Sequence, residues 1–281
     1  MINESHGKHI MHLKRWLTSI VAVPVLAALI LYGPMASFAA LIVVVGAIAA
    51  WEYFYIIFAG DKRRMVAPGP VWLAFSGLLI LVAAAFQRTE LLFLFGWIGF
   101  AGMAMLSMRG FSEAKGREIL DQVASGVQFI IYIPFPLAAL ILLRGQPDGL
   151  AWLFFLVFII FLGDAGAFYV GTYFGRRKLH PAISPGKTIE GAIGGLAANL
   201  GVAFAFKAIF LPDLPNLLVA VFALVAGIVG QLGDLFESEL KRTSQIKDSG
   251  SILPGHGGIL DRIDALIFAA PVAYIFKMYI F

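Results

Sequence analysis

The sequence predicts an all-α, polytopic integral membrane protein with about nine transmembrane helices and a cytoplasmic amino terminus. Of its 281 residues, 60% are hydrophobic and only 14% are charged, whereas soluble domains carry about 25% charged residues. A helix needs about 20 apolar residues to cross a bilayer. Runs near this length recur at residues 16–33, 35–58, 69–86, 90–108, 119–143, 149–174, 190–211, 216–240 and 259–281.

The distribution of basic residues predicts the orientation, because Lys and Arg accumulate on the cytoplasmic side of membranes. With the amino terminus inside, all but four of the 21 Lys and Arg residues fall in inner segments. The exceptions are Arg88, Arg144, Lys207 and Lys277. The formal net charge of +4 therefore comes from basic residues that lie mainly on the cytoplasmic side. The sequence leaves no soluble domain that could bind nucleic acid. We expect the protein in the cell's inner (plasma) membrane, with its functional face toward the cytoplasm.

Polar chemistry is concentrated in the second half of the chain, which predicts two regions. Residues 1–145 would form an amino-terminal transmembrane region of about five helices, and residues 146–281 a catalytic transmembrane region of about four. In the first region, Glu52 lies near the inner end of its helix. This position favours a carboxylate that supports the bundle over a site residue. The absence of cysteine excludes thiolate metal sites and a cysteine nucleophile.

Two pairs of acids lie on the last two predicted helices. Asp234 and Glu237 are three residues apart, so both project from one helical face about 5–6 Å apart, and Ser238 extends that face. Asp261 and Asp264 repeat the spacing. Two antiparallel helices joined by one inner loop would present these four carboxylates to each other, and their mutual repulsion would require a bound cation.

Oxygen ligands without cysteine favour Mg²⁺ over zinc, and Mg²⁺ is usually held by one or two carboxylates plus substrate phosphates. The alternative is a salt-bridge network between the acids and Arg262 that only locks the two helices together. The basic residues Lys241, Arg242 and Lys247 beside the acids favour the metal site.

The loop between these helices contains the segment 254–258, in which His256 is surrounded by glycines, among them Gly257 and Gly258. Backbone N–H groups exposed by consecutive glycines, together with a helix start, favour binding of phosphate oxygens. His256 could donate to a phosphate or a leaving group. A single loop histidine is more often a plain polar residue, but the glycines on both sides favour a functional role here.

A second polar cluster begins with Asp164, which lies roughly 16 Å from the inner end of its helix at 1.5 Å per residue. A carboxylate at that depth needs a partner or a wet cavity. Lys187, between Gly186 and Thr188, resembles part of a nucleotide P-loop, but Pro181 stands in the place of the first glycine and a membrane helix precedes it, which excludes that motif. Lys187 remains suited to a phosphate.

The glycines that follow have two interpretations of equal weight. Gly191, Gly194 and Gly195 open the next predicted helix. They could form a phosphate-binding helix start, or they could allow close packing of two helices.

At these two clusters the sequence closely resembles the phosphatidate cytidylyltransferase family, also called CDP-diacylglycerol synthases. The family pattern S-x-x-K-R-x(4)-K-D-x-G-x-x-L-P-x-H-G-G-x-x-D-R-x-D is matched without a gap from Ser238 to Asp264. Similar support comes from Asp164 and the residues after it, and from the segments 184–191 and 231–238. This resemblance covers about the carboxy-terminal half. One departure is Ala165, where many members have a hydroxyl residue.

The resemblance implies transfer of a cytidylyl group from CTP to phosphatidic acid in phospholipid biosynthesis, giving CDP-diacylglycerol and pyrophosphate. It also implies Mg²⁺, a second, monovalent cation such as K⁺, and a homodimer in the lipid bilayer. Asp234 and Asp261 match the metal-site acids of the family, and Glu237 and Asp264 complete the expected metal set. The residues expected to act in catalysis are Asp234, Asp261, Lys247, His256 and Arg262. Those expected to bind substrate are Asp164, Ser184, Lys187, Glu190, Ser238, Lys241, Arg242, Asp248, Gly257 and Gly258.

Two other functions are compatible with parts of the pattern. An ion-coupled transporter would also carry intramembrane acids, but here the acids gather at one membrane face beside a basic loop, and the two halves of the chain show no matching repeat. Another CTP-using lipid enzyme, such as a polyprenol kinase, is the nearer alternative.

Overall fold

The computed structural model describes residues 24, 27–109, 116–250 and 257–281. Helices make up most of this part of the chain, and one short antiparallel hairpin accompanies them, so the all-α prediction is confirmed. The elements are α1 (Met35–Ile57), α2 (Lys62–Met65), α3 (Pro68–Ala85), α4 (Thr89–Arg109), α5 (Gly116–Tyr132), α6 (Pro134–Arg144), α7 (Gly149–Phe174), β1 (Lys178–His180), β2 (Ser184–Thr188), α8 (Ile189–Phe210), α9 (Asn216–Thr243) and α10 (Leu260–Tyr279).

Seven segments within the described ranges are long and apolar enough to cross a membrane: α1, α3, α4, the pair α5 and α6, α7, α8 and α9. A polytopic membrane protein is therefore confirmed. Of the nine predicted spans, 16–33 lies largely outside the described residues. The ninth is the 20-residue helix α10, whose first turns carry Asp261, Arg262 and Asp264. The count of nine and the orientation of the amino terminus stay predictions.

The span predicted at 119–143 is interrupted, because two prolines divide it into α5 and α6. Ile133 still donates its N–H to the Phe129 carbonyl at 2.9 Å, but Pro134 has no N–H, and α6 begins there with Pro136 also in its first turn. Proline is tolerated at a helix start because the first N–H groups have no partner within the helix. Nearly all residues of α6 are buried within the bundle.

Helices α7 and α8 approach each other closely through glycines. A Cβ on Gly191 would lie 2.8 Å from the Ala167 carbonyl oxygen, and one on Gly195 would lie 3.0 Å from the Gly163 carbonyl oxygen. Small residues allow this approach between membrane helices. The packing interpretation of these glycines is confirmed, and the contact fixes the distance between the helix that carries Asp164 and the start of α8.

The segment between α7 and α8 forms the hairpin, which was not predicted from the sequence. Strands β1 and β2 are antiparallel, with Lys178 opposite Thr188 and His180 opposite Ser184. Thr188 ends β2 and is also the N-cap of α8, because its Oγ1 accepts the Gly191 N–H at 3.1 Å. The hairpin therefore places Lys187 directly at the amino end of α8.

Candidate active site

A cavity of about 750 Å³ opens between the hairpin and helices α7 to α10. It brings together the two polar clusters that are separated in the sequence. The charged side chains that line it in the described part of the chain are Asp164, Lys187, Asp234, Glu237, Lys241, Asp248, Asp261, Arg262 and Asp264. Six of these are acids and three are bases, so the cavity walls carry more negative than positive formal charge.

Lys187 and Asp234 connect the hairpin to α9. The Lys187 Nζ lies 2.5 Å from the Asp234 Oδ2, and both side chains are about two-thirds buried. An ion pair in such a half-buried position is screened less by salt than one at the surface. The predicted phosphate-binding lysine and the predicted metal-site acid are therefore direct neighbours.

Lys241 lies between the acid pairs of α9 and α10. Its Nζ is 2.5 Å from the Glu237 Oε2 and 2.6 Å from the Asp261 Oδ1. Glu237 is buried, and among the described residues its Oε1 has no hydrogen-bond partner. The prediction that acids of these two helices face each other is confirmed for Glu237 and Asp261, with a lysine ammonium between them.

Asp261 also holds the loop that precedes α10. Its Oδ2 accepts the Gly258 N–H at 2.8 Å and the Ser249 N–H at 3.1 Å. Gly257 has a φ of +79°, and a Cβ there would lie 2.7 Å from the Asp261 Oδ2, so this turn favours glycine. The Gly258 N–H, which we expected to be open to phosphate, is thus engaged by Asp261 in this structure.

Glu52 is a polar residue at this site whose role the sequence analysis missed. It comes from α1, is 1% exposed, and accepts hydrogen bonds from the loop and from the start of α10. The expectation that it supports the bundle is confirmed, but the part that it supports is the loop beside the cavity. In the sequence, only the position of Glu52 near the inner end of α1 indicated that it could contact this loop.

Several predicted site residues lie near the cavity without lining it. Glu190 accepts the N–H groups of Arg176 and Arg177 at 3.0 and 3.1 Å, which holds the segment before β1. The Arg242 Nε donates to the Ile183 carbonyl oxygen at 3.3 Å and connects the end of α9 to the hairpin. The predicted residues absent from the described cavity lining are Ser184, Glu190, Ser238, Arg242, Lys247, Gly257 and Gly258. His256 lies outside the described residues.

The carboxylates fit a magnesium site only with help from a substrate. Within the described ranges, no three Asp, Glu or His side chains converge closely enough to hold a metal ion by themselves. The donors present are carboxylate oxygens, which Mg²⁺ prefers, and Mg²⁺ commonly takes only one or two of them from the protein and the rest from phosphates and water. The donor set therefore fits a metal that arrives with a phosphorylated substrate.

Comparison with known proteins supports the same conclusion as the motif. The model of the cytidylyltransferase family matches residues 13–280. The chain belongs to the cytidylyltransferase family. The resemblance found in the two clusters is thus confirmed, and the match extends through the amino-terminal half, which the motif resemblance did not cover. Membership also confirms that the protein is an enzyme, a nucleotidyltransferase.

Individual members of the family align over long stretches. A phosphatidate cytidylyltransferase of Bacillus subtilis (strain 168) is 34% identical over 264 residues, covering 93% of this chain and 96% of the relative. One from Brucella suis biovar 1 is 40% identical over 212 residues, covering 74% and 72%. One from Staphylococcus haemolyticus is 45% identical over 127 residues, covering 45% and 49%.

Proposed function

We propose that the protein transfers the cytidylyl group of CTP to phosphatidic acid and releases CDP-diacylglycerol and pyrophosphate. The observation that carries this proposal is the cavity, between membrane helices, in which the two motif clusters of the family meet. The relatives named above as phosphatidate cytidylyltransferases support the choice of CTP and phosphatidic acid as substrates.

The charge of the cavity supports a requirement for a divalent cation. CTP and phosphatidic acid are both polyanions, and the described lining has six acids against three bases. Without a cation, the walls would repel both substrates. We infer Mg²⁺, held by Asp234 and Asp261 with Glu237 or Asp264 nearby and otherwise by substrate phosphates. When bound, Mg²⁺ would neutralise phosphate charge and help to orient the reacting groups. We also propose a second, monovalent cation such as K⁺, because the family resemblance implies one.

The basic residues of the cavity would bind the phosphates. Lys187 and Lys241 pair with acids in the cavity, and a substrate phosphate would replace one of those carboxylates as the partner of each lysine. Arg262 lines the same cavity and offers a planar group that matches two phosphate oxygens. Lys247, Arg242 and His256 remain expected contacts of the substrate.

The reaction that these groups favour is an in-line displacement. A phosphate oxygen of phosphatidic acid forms a bond to the α-phosphorus of CTP, and the bond from that phosphorus to the bridging oxygen breaks, so that pyrophosphate leaves with the electron pair. A phosphate monoester is already largely ionised near pH 7, so no general base is required. The side chains contribute by aligning the two phosphates and by stabilising charge that shifts to the leaving group.

Entry of the lipid from the bilayer is supported by the apolar wall of the cavity. Phe161 and Phe168 of α7 line the cavity and are exposed. A lipid could therefore bring its headgroup to the charged walls while its acyl chains remain in the membrane. The proposal includes an inner-membrane location with the cavity facing the cytoplasm, where CTP is available, and a homodimer.

The decisive experiment incubates the purified protein with Mg²⁺, labelled CTP and phosphatidic acid and analyses the lipid products. We expect CDP-diacylglycerol and pyrophosphate in equal amounts, and no product when phosphatidic acid is omitted. Phosphorylated polyprenol, formed when polyprenol replaces phosphatidic acid, would identify a kinase instead. Absence of any CTP consumption would contradict the proposal and favour a transporter.

A further inference from the structure

Glu52 joins the amino-terminal region to the start of α10. Its Oε2 accepts the Leu260 N–H at 2.7 Å and the Ser249 Oγ hydroxyl at 3.1 Å, and its Oε1 accepts the Ile259 N–H at 3.0 Å. The first N–H groups of a helix have no partner within the helix, and the helix dipole favours a negative charge there. A buried carboxylate from α1 therefore caps α10.

The residues that Glu52 holds are neighbours of the residues that Asp261 holds. The Ser249 hydroxyl donates a hydrogen bond to Glu52, and the Ser249 backbone N–H donates one to Asp261. Asp261 accepts the N–H of Gly258. Glu52 accepts the N–H groups of the next two residues, Ile259 and Leu260, which directly precede Asp261 in the chain. The two carboxylates thus hold the same two stretches of backbone, and a shift of one contact changes the other.

Two glycines make room for the Glu52 carboxylate. A Cβ on Gly250 would lie 2.5 Å from the Glu52 Oε1, and one on Gly258 would lie 2.5 Å from the Glu52 Oε2. Real Cβ atoms do not approach other atoms so closely, so any larger residue at either position would displace the carboxylate or the loop. Gly250 and Gly258 therefore both leave the space that the Glu52 side chain occupies.

We propose that Glu52 is a positioning residue of the reaction: it fixes the start of α10 so that Asp261 faces the cavity beside Lys241. This inference rests on the proposed function, because Asp261 is there assigned to the metal. Residues that orient metal-binding side chains without touching the metal typically affect metal affinity or activity by about 10–100-fold when they are replaced. The amino-terminal region is therefore part of the catalytic apparatus, not only an anchor for it.

The test compares Glu52→Gln with the wild type and with Glu90→Gln. The amide introduced by Glu52→Gln would keep the size of the side chain but would turn an N–H₂ group toward backbone donors. Glu90 also lies in the amino-terminal region, is exposed, and pairs with Arg88 away from the cavity. We measure CDP-lipid formation against Mg²⁺ concentration, and hydrogen exchange of the Ile259 and Leu260 backbone amides in the purified protein.

For Glu52→Gln we expect the half-maximal Mg²⁺ concentration to rise by about 10–100-fold, with the KM for phosphatidic acid unchanged. The Ile259 and Leu260 amides should exchange about tenfold faster or more, since hydrogen bonds to a charged acceptor are lost. Glu90→Gln should behave as the wild type in both measurements. A merely structural role would lower the rate by the same factor at every Mg²⁺ concentration.

The proposal is overturned if either readout of Glu52→Gln equals that of the wild type, or if the loss of rate equals the loss of folded protein. Should Glu52→Gln fail to fold, Ser249→Ala removes one of the three contacts, and we expect the same changes at about three- to tenfold. If the wild type makes no CDP-lipid, the proposed function fails. The exchange of Ile259 and Leu260 then decides separately whether Glu52 holds α10.

Discussion

The Lys187 Nζ lies 2.5 Å from the Asp234 Oδ2, so the hairpin and the middle of α9 are joined by one ion pair inside the cavity. In the proposed reaction Lys187 binds a phosphate and Asp234 a metal ion. Before the substrates bind, Asp234 therefore occupies the place of the phosphate at Lys187, and Lys187 occupies the place of the metal ion at Asp234. The pair keeps both charges compensated, and it has to separate when CTP and Mg²⁺ bind.

Asp234→Asn should abolish turnover while leaving the protein folded, because the amide keeps the shape of the side chain but loses the charge. We expect CTP turnover to fall by about 100-fold or more. Thermal unfolding in detergent should stay close to that of the wild type. The matched control is Asp213→Asn, an exposed acid between α8 and α9. Near-normal CTP turnover in purified Asp234→Asn would refute the assignment of this acid to the metal.

Asp261→Asn should have a similar effect on turnover, and the protein should stay folded, because Lys241 keeps its ion pair with Glu237 and the amide oxygen can still accept the Gly258 N–H that Asp261 now holds at 2.8 Å. We expect a loss of about 100-fold or more in CDP-lipid formation. Asp121→Asn, at an exposed position of α5, serves as the control. A variant with wild-type turnover at every Mg²⁺ concentration would exclude Asp261 from metal binding.

Lys241→Met should destabilise the protein, because it leaves Glu237 and Asp261 as buried acids without their counterion. The side chains of Lys241 and Glu237 are only 14% and 1% exposed, and breaking a buried ion pair costs about 3–5 kcal/mol. The double variant Lys241→Met with Glu237→Gln should recover part of this free energy of unfolding, which a double-mutant cycle in detergent measures. Additive effects of the two changes would mean that the pair is not coupled.

Removal of divalent cations should stop the reaction, since the cavity walls would then repel both substrates. We expect no CDP-lipid in excess chelator and full recovery when Mg²⁺ is restored. Unfolding of the substrate-free protein should change little on chelation, because the described residues do not form a complete metal site by themselves. Full activity in chelator would contradict the cation requirement.

Gly191→Ala should loosen the contact between α7 and α8. The new methyl group would lie 2.8 Å from the Ala167 carbonyl oxygen and 3.0 Å from the Gly171 Cα, both backbone atoms that cannot turn aside. Overpacking of this kind costs about 1–3 kcal/mol. Gly201→Ala in the same helix meets no atom within 4 Å and should be neutral or slightly stabilising. Equal unfolding temperatures for the two variants would contradict the packing role of Gly191.

The parts of the structure that follow local rules could be predicted from the sequence. The spacing of Asp234 and Glu237, and of Asp261 and Asp264, predicted which helix faces carry acids, since helical periodicity decides this. Lys241 follows Glu237 by four residues, a spacing at which helical side chains pair, so this ion pair was within reach. The break at Pro134 was visible too, because a proline inside a span interrupts helical hydrogen bonding.

The long-range contacts could not be predicted in this way. Glu52 and Leu260 are 208 positions apart, and no local pattern states which backbone amides a buried carboxylate will meet. The hairpin was missed because its strands are only three and five residues long and lie in a polar segment without alternation. The contacts of Glu52 depend on how helices pack, which one sequence does not reveal.

The burial of α6 has a consequence for how the protein is made. Helix α6 has 11 residues, about 16 Å of helix, too short to cross a bilayer without α5. Within Gly116–Arg144, 78% of an apolar 18-residue stretch is also buried in the finished bundle. Membrane helices first insert singly and then associate. Helix α6 packs against the earlier helix α3 and also against the much later helix α10. Its enclosure is therefore completed only when α10 has been inserted, which makes it a late step of biogenesis.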